Sequence, residues 1–269
     1  MNANNRLLSV LLAVILTTSL SLAGCSNSGT GKLTIGASGA WPIDCTEDGI
    51  PSGFEYELMG ALAFDMGLEL EYIPYTDYIN QVTLAAFLAK YDAMASGMYD
   101  YYSSPGPHYG VPNNVSKSIP YYEENRTCLV RQDSEIPDVA SLPGKVVGVR
   151  GNAGWGIEGL DSLAEIVEVR YFLEESAGLA ALQAGIIDAY LVDEADTNDS
   201  YGLYNSYPNL KPIGVIPTGH QYVLVFGSGD TEMQEAVNTS LQHLIDNGTY
   251  AKIFSKYFSY EPTITPQPQ

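Results

Sequence analysis

Apolar and polar positions along the chain alternate between two periods, and each change of period marks an element. Lys32–Ala37 (KLTIGA) is a short β-like run. Residues 54–67 (FEYELMGALAFDMG) carry apolar side chains at helical spacing and stop at Gly67, a residue type that ends helices. Leu68–Ile73 (LELEYI) alternates with the period of a strand. Residues 78–89 return to helical spacing, and Asp92–Ser96 predicts a buried strand ending at Gly97. This β-α-β-α-β order predicts an α/β layered unit. Pro105–Pro112 (PGPHYGVP) breaks the pattern and reads as a loop.

A second α/β unit follows. Strands are expected at Arg126–Arg131, Lys145–Arg150, Glu165–Tyr171 and Asp188–Val192, with a helix at Ser176–Ala184. Tyr222–Phe226 (YVLVF) is a further strand. Residues 231–247 form an amphipathic helix with Met233, Val237, Leu241, Leu244 and Ile245 on one side. Residues 249–258 add a short helix, and the Pro-rich stretch 261–269 is expected to be a disordered tail. The architecture repeats, but no sequence repeat is found.

The N-terminus has its own pattern. Residues 1–6 are polar and end in Arg6, residues 7–23 are apolar or small, and Leu22-Ala23-Gly24-Cys25 follows. That is the order of an export signal, and it resembles a bacterial lipoprotein signal whose small-residue box ends in Cys. Residues 1–24 are therefore expected to be a signal peptide, Cys25 the lipidation site and residues 25–31 a flexible tether. The alternative is an uncleaved anchor, for which the apolar stretch is at the short edge. Everything after Cys25 is expected outside the cytoplasm, lipid-anchored to the cell membrane or in the periplasm. ATP-dependent and nicotinamide-dependent chemistry are set aside on that ground.

Charge narrows the partners. Twelve Lys and Arg face 32 Asp and Glu, a formal charge of −20, and loss of residues 1–24 removes Arg6 and no acid, leaving near −21. Such a surface repels phosphate backbones, so no nucleic-acid partner is expected. The 20 tyrosines, many of them clustered, suggest an aromatic, partly wet surface or pocket. His108, His220 and His243 are scattered without metal-ligand spacing, so no metal and no cofactor are expected. Cys45 and Cys128 could pair only if the fold brings them together. GNAGWG (151–156) lacks the Lys-Ser/Thr of a phosphate loop.

Seen in order, these segments resemble the family 3 extracellular solute-binding proteins, the amino-acid-binding type of ABC importers. PSGFEYELMGALAFDMG is similar to the family's GFDVDLAKALAKKLG, and KYDAMASGM to KYDAIISGM. SIPYYEENRTCLVR is similar to SDPYYESGQVLVVR, LPGKVVGVRGN to LKGKKVGVQQGT, LQAGIIDAYLVDE to LLAGRVDAVVVDE, and NGTYAKIFSKYF to DGTYDKIYEKWF. The resemblance implies a two-lobed α/β periplasmic-binding-protein fold of type II. Lobe 1 would be 32–124 plus 224–260 and lobe 2 would be 129–218. Tyr122–Arg131 and Gly219–Phe226 would be hinge strands, with the ligand cleft between the lobes. It implies a monomer that delivers a small solute to an ABC importer permease.

Residue by residue, the resemblance places Asp193 where the family accepts a ligand α-ammonium, and Trp41 where an aromatic packs over the ligand side chain. Ser96, Gly97, Met98 and Tyr99 occupy a turn that binds the carboxylate, with Tyr99 replacing a small hydroxyl residue. Asn152 and Ala153 match a lobe 2 anion loop preceded by Arg150. The departure is in lobe 1. The Arg that grips an α-carboxylate five residues beyond the turn falls on Ser104, and residues 91–116 contain no Arg or Lys. Arg150 could supply that cation. The acidic and aromatic rim expected from Asp44, Tyr99, Asp100, Tyr101, Tyr102, Asp193 and Glu194 favours an amine-bearing solute over an anion. For each of these residues the plain alternative is packing or a solvated surface. Two other functions stay open. One is a sensory or accessory binding lipoprotein. The other is a cyclohexadienyl-dehydratase-like enzyme on the same fold, which the scarcity of lobe 1 cations disfavours, so no catalytic residue is assigned.

Overall fold

The apolar runs lie side by side in a mixed sheet with helices packed on it. The computed structural model describes residues 31–37, 45–47, 50–74, 94–99, 116–151, 168–197, 206–227 and 229–264. The expected signal peptide, Cys25, Trp41, Asp44, the helix at 78–89, Asp100–Tyr102, Ser104, the loop Pro105–Pro112, Asn152 and Ala153 lie outside the described residues.

The first half contains β1 (Lys32–Ala37), a small hairpin of β2 (Cys45–Glu47) and β3 (Ile50–Ser52), α1 (Phe54–Asp65), β4 (Glu69–Pro74), β5 (Met94–Tyr99) and β6 (Ser116–Lys117). The chain continues through β7 (Tyr122–Arg131), β8 (Val146–Arg150), β9 (Glu168–Phe172), α2 (Glu175–Gln183) and β10 (Ala189–Asp193). It returns along β11 (Leu210–Phe226) and ends in α3 (Thr231–Asp246) and α4 (Thr249–Tyr257). α1 stops where expected. Gly67 takes φ +70°, and the Leu68 N–H turns back to the Ala63 carbonyl at 2.8 Å, a closure only a left-handed residue allows cheaply. α3 starts at Asp230, whose carboxylate accepts the Met233 N–H at 3.2 Å.

The sheet order is β4-β1-β5-β11-β7-β10-β8-β9, with β6 also paired to β11. β4, β1 and β5 are parallel to one another, as are β10, β8 and β9. Between the two groups, β11 and β7 form a long antiparallel ribbon. Two larger sets of buried side chains sit at opposite ends of it. One gathers Leu33, Ile35, Phe54, Leu58, Leu224, Val237, Leu241 and Phe254 around β1, α1, α3 and α4. Phe54 meets Phe258 at 5.3 Å between ring centroids and Phe254 at 5.5 Å, both edge to face. The other set gathers Cys128, Val130, Val147, Val149, Leu191 and Ile216. A third set, with Leu129, Leu179, Leu182 and Tyr190, seats α2 on β10. Cys128 is a free, fully buried thiol, and burial pushes its pKa up to about 12.

Three expectations are corrected. β5 does not turn at Ser96. It continues to Tyr99, because β11 runs beside it and offers partners that far. Ser96 and Gly97 together face the single residue Leu224, a bulge that absorbs one extra residue. β11 begins at Leu210, not near Gly219. Its Pro and Gly residues are accommodated by register shifts between Pro212 and Val215 and between Pro217 and His220. The tail does not start at 261, since Ile264 packs on the first core. Residues 265–269 lie outside the described residues.

Candidate functional site

Registers along the β7–β11 ribbon show where the two parallel groups aim. β5 runs toward the middle of the ribbon and ends with Tyr99 opposite Tyr222, which in turn faces Tyr122. β10 runs toward the same middle from the other end and finishes with Asp193 opposite Arg126. Tyr122 and Arg126 are four positions apart on β7, about 13 Å at roughly 3.3 Å per residue. The carboxyl ends of both parallel groups thus converge on one gap. In open α/β sheets, ligands sit outside the carboxyl ends of the strands.

Alternation along β7 puts Tyr122, Glu124 and Arg126 on one face of the ribbon. The Arg126 guanidinium lies 2.5 Å from Asp193 Oδ1 and 3.6 Å from Glu124 Oε1. Asp193 and Arg126 are directly opposed in an antiparallel pair, so their side chains share a face. The Asp193 side chain keeps 38% of its exposure, against 19% for Arg126 and 9% for Glu124, so Asp193 is the open member of the row. At the other end of the row, the Tyr122 and Tyr260 hydroxyls meet at 3.1 Å. Burial raises the pKa of both phenols, and the charges of Glu124 and Asp193 add to it.

More charge gathers around Asp193. Arg150 is the last residue of β8 and exposed. Glu175 opens α2, and burial raises its pKa against the pull of Arg150. Asp196 sits in the 3₁₀ turn Glu194–Thr197 that follows β10. Burial, with repulsion from Asp193 and Glu175, raises its pKa to about 7. The Tyr190 hydroxyl is fully buried here without a hydrogen-bond partner. Around this end of the gap Glu124, Glu175, Asp193 and Asp196 face Arg126 and Arg150, so carboxylates outnumber guanidiniums. Such a wall attracts a cation.

Of the residues expected from sequence, the structure brings Asp193 and Arg150 to this wall and ends β5, with Ser96, Gly97, Met98 and Tyr99, at the opposite side of the gap. Glu194, expected on the rim, is turned inward instead. It is 7% exposed and accepts a hydrogen bond from Asn125 Nδ2 at 3.2 Å. Arg126, Glu124, Glu175 and Asp196 were not anticipated. Pairing the two strands read as Arg126–Arg131 and Asp188–Val192 would have set Arg126 beside Asp193. A cavity of about 140 Å³ lined by Ile119, Glu123, Gln221, Gln242 and Ile264 is separate from the gap, because Glu123 alternates to the other face from Glu124. Among the described residues, no group of three or more His, Cys, Asp or Glu side chains is arranged to hold a metal ion.

Over residues 33–260 the chain matches the bacterial extracellular solute-binding proteins, family 3. It belongs to that family. This solute-binding protein is 26% identical to the arginine-binding extracellular protein ArtP of Bacillus subtilis, over 94% of its own length and 97% of the relative's. It is 24% identical to the L-arginine-binding protein of Pseudomonas aeruginosa, over 80% and 83% of the two chains. Its fold is shared with substrate-binding domain 2 of Lactococcus lactis GlnP, solved in an open conformation, with a TM-score of 0.68 and 22% identity over 88% and 100% of the chains. The fold is the type II periplasmic-binding fold, and the two arginine-binding relatives are named for binding.

Proposed function

We propose that this protein captures an amine-bearing, amino-acid-type solute in the gap at the middle of the β7–β11 ribbon and delivers it to an ABC importer permease. The observation that carries this reading is the acidic wall around Asp193, a partly open carboxylate at a strand end. Such a carboxylate suits a charge-assisted hydrogen bond to an ammonium. The arginine-binding names of two relatives point to the same solute class. The buried sets at the two ends of the ribbon support lobes at 32–124 plus 224–260 and at 129–218, with β7 and β11 as the hinge. A cleft between lobes desolvates a small polar solute from both sides, and closure follows as a hinge motion. Cys25 carries the lipid that keeps the monomeric protein at the membrane.

The test is thermal unfolding of the chain from residue 26 against arginine, lysine, histidine, glutamine, glutamate, agmatine and putrescine. A ligand at about 100 times its Kd stabilises by roughly 2.7 kcal/mol, a shift of several degrees. Cationic amino acids are expected to give it and glutamate is not. A response to glutamate alone, or to nothing in the panel, would overturn the reading.

A further inference from the structure

The ribbon has a second concavity, on the face turned away from Glu124. Glu123 of β7 stands directly opposite Gln221 of β11, so the two side chains share that face. Three other segments close around them. Ile119 and Pro120 lead into β7, and the Ile119 N–H donates to Asn238 Oδ1 of α3 at 2.8 Å, which pins them against that helix. Gln242 and Ile245 are three apart on α3 and lie on one side of it. Beyond α4 the chain folds back over the ribbon. Tyr260 meets Tyr122 there, and Thr263 and Ile264 complete a cavity of about 140 Å³ with Glu123 and Gln221. A cavity of about 150 Å³ holds a molecule the size of benzene. Glu123 brings the one charge in the lining. It is half-buried, and among the described residues its carboxylate makes no ion pair or hydrogen bond, nor do the side chains of Gln221 and Thr263. Among the described residues no Lys, Arg or His lines the cavity. Gln242 Nε2 donates to Asp246 Oδ1 at 2.8 Å, so a second carboxylate stands beside it.

We propose that this cavity is a second binding site, for a small aliphatic ammonium that carries no carboxylate. A carboxylate drawn partly out of water with no cation beside it gains most from a charged donor. An ammonium has three donors. Glu123 takes one of them, and Gln221 and Thr263 offer oxygens to the others. The hydrocarbon chain lies on Ile119, Ile245 and Ile264, where each methylene buried adds about fourfold to affinity. Anions are refused, because nothing in the lining answers them and Glu123 repels them. An amino acid is refused for the same reason, since its carboxylate enters with its ammonium. The cavity therefore selects a different chemistry from the gap, and it stands whether or not the function proposed for the gap does.

The probe is n-butylammonium, protonated at pH 7 as a lysine side chain is. Amide NMR spectra of the chain from residue 26, which keeps every described residue, are followed at constant ionic strength. The protein is titrated separately with n-butylammonium, n-butanol, n-butyrate and ammonium. n-Butylammonium is expected to give saturable shifts at Ile119, Tyr121, Glu123, Gln221 and Ile264. n-Butanol, which keeps the chain and loses the charge, should need at least tenfold more to saturate them. Ammonium, which keeps the charge and loses the chain, should also need tenfold more, and n-butyrate should give none. Glu123→Gln should remove the preference for n-butylammonium over n-butanol. If that variant does not fold, the four probes on the wild type decide. Asp193→Asn should leave the cavity shifts in place, which separates this site from the gap. Shifts confined to the residues around Asp193 would overturn the inference. So would equal saturation by n-butanol or ammonium, an undiminished preference in Glu123→Gln, or cavity shifts lost in Asp193→Asn. The absence of any saturable shift below about 100 mM would overturn it too.

Discussion

Asp196 is a carboxylate held where its charge is poorly tolerated. Burial raises its pKa from an ordinary 3.8 to about 7, Asp193 and Glu175 push in the same direction, and Arg126 and Arg150 pull back. The folded state therefore binds a proton that the unfolded chain has already lost, and stability falls as pH rises through the window from about 4 to about 7. Above that window the folded protein carries the buried charge, at a cost on the order of 2–4 kcal/mol. Asp196→Asn removes the charge and keeps the shape. Urea denaturation should show the variant more stable than the wild type at pH 8, with the difference shrinking toward pH 5. A difference that does not move with pH would show that Asp196 does not titrate as described. An ammonium in the gap favours the charged form of Asp196, so binding an amine near pH 7 should also release protons.

At the scale of elements, α2 approaches β10 as closely as its sequence permits. A methyl group on Gly178 would stand 2.1 Å from Cε2 of the buried Tyr190 ring. Leu179 and Leu182 on α2 are fully buried, so the helix cannot lift away without opening the core beside it. Gly178→Ala is expected to cost about 2–3 kcal/mol by overpacking, although alanine favours a helix by about 1 kcal/mol. Gly178→Ala with Tyr190→Leu should recover part of that loss in chemical denaturation, and a neutral single variant would contradict the contact. Contacts like this one were not legible in the sequence, where Gly178 is one small residue inside a helical run. Strands with continuous apolar character were legible: Val146–Arg150 and Ala189–Asp193 match their expected positions within a residue. β11 was read only at its apolar end. Pro212, Gly214, Pro217 and Gly219 conceal the rest, and only pairing with β7 makes those positions a strand. The candidate site divides in the same way. Asp193 stands out as an acid closing an apolar strand, whereas Arg126 is lost in the polar run Glu123-Glu124-Asn125-Arg126-Thr127 until register sets it beside Asp193.

The whole molecule is strongly acidic, at −20 over the full chain, and this bears on how it stays near a membrane permease. An acidic body is repelled by anionic lipid headgroups, so electrostatics cannot retain it at the surface. No helix among the described residues is long and apolar enough to cross a membrane. Retention under the proposed function then falls to the lipid on Cys25. One acyl chain binds a bilayer marginally, and two are needed for stable anchoring. Under that proposal, residues 25–31 would span at most about 25 Å when extended, which would keep the gap within reach of a partner in the same membrane and raise its effective concentration there. Cys25→Ser should therefore move the full-length protein from the membrane fraction to the soluble fraction of cells, with ligand affinity unchanged, because β1 and the gap lie beyond the tether. The same partition for Cys25→Ser and wild type would show that something other than the lipid retains the protein. Loss of solute uptake with Cys25→Ser, at equal protein level and equal affinity, would show that tethering itself serves delivery.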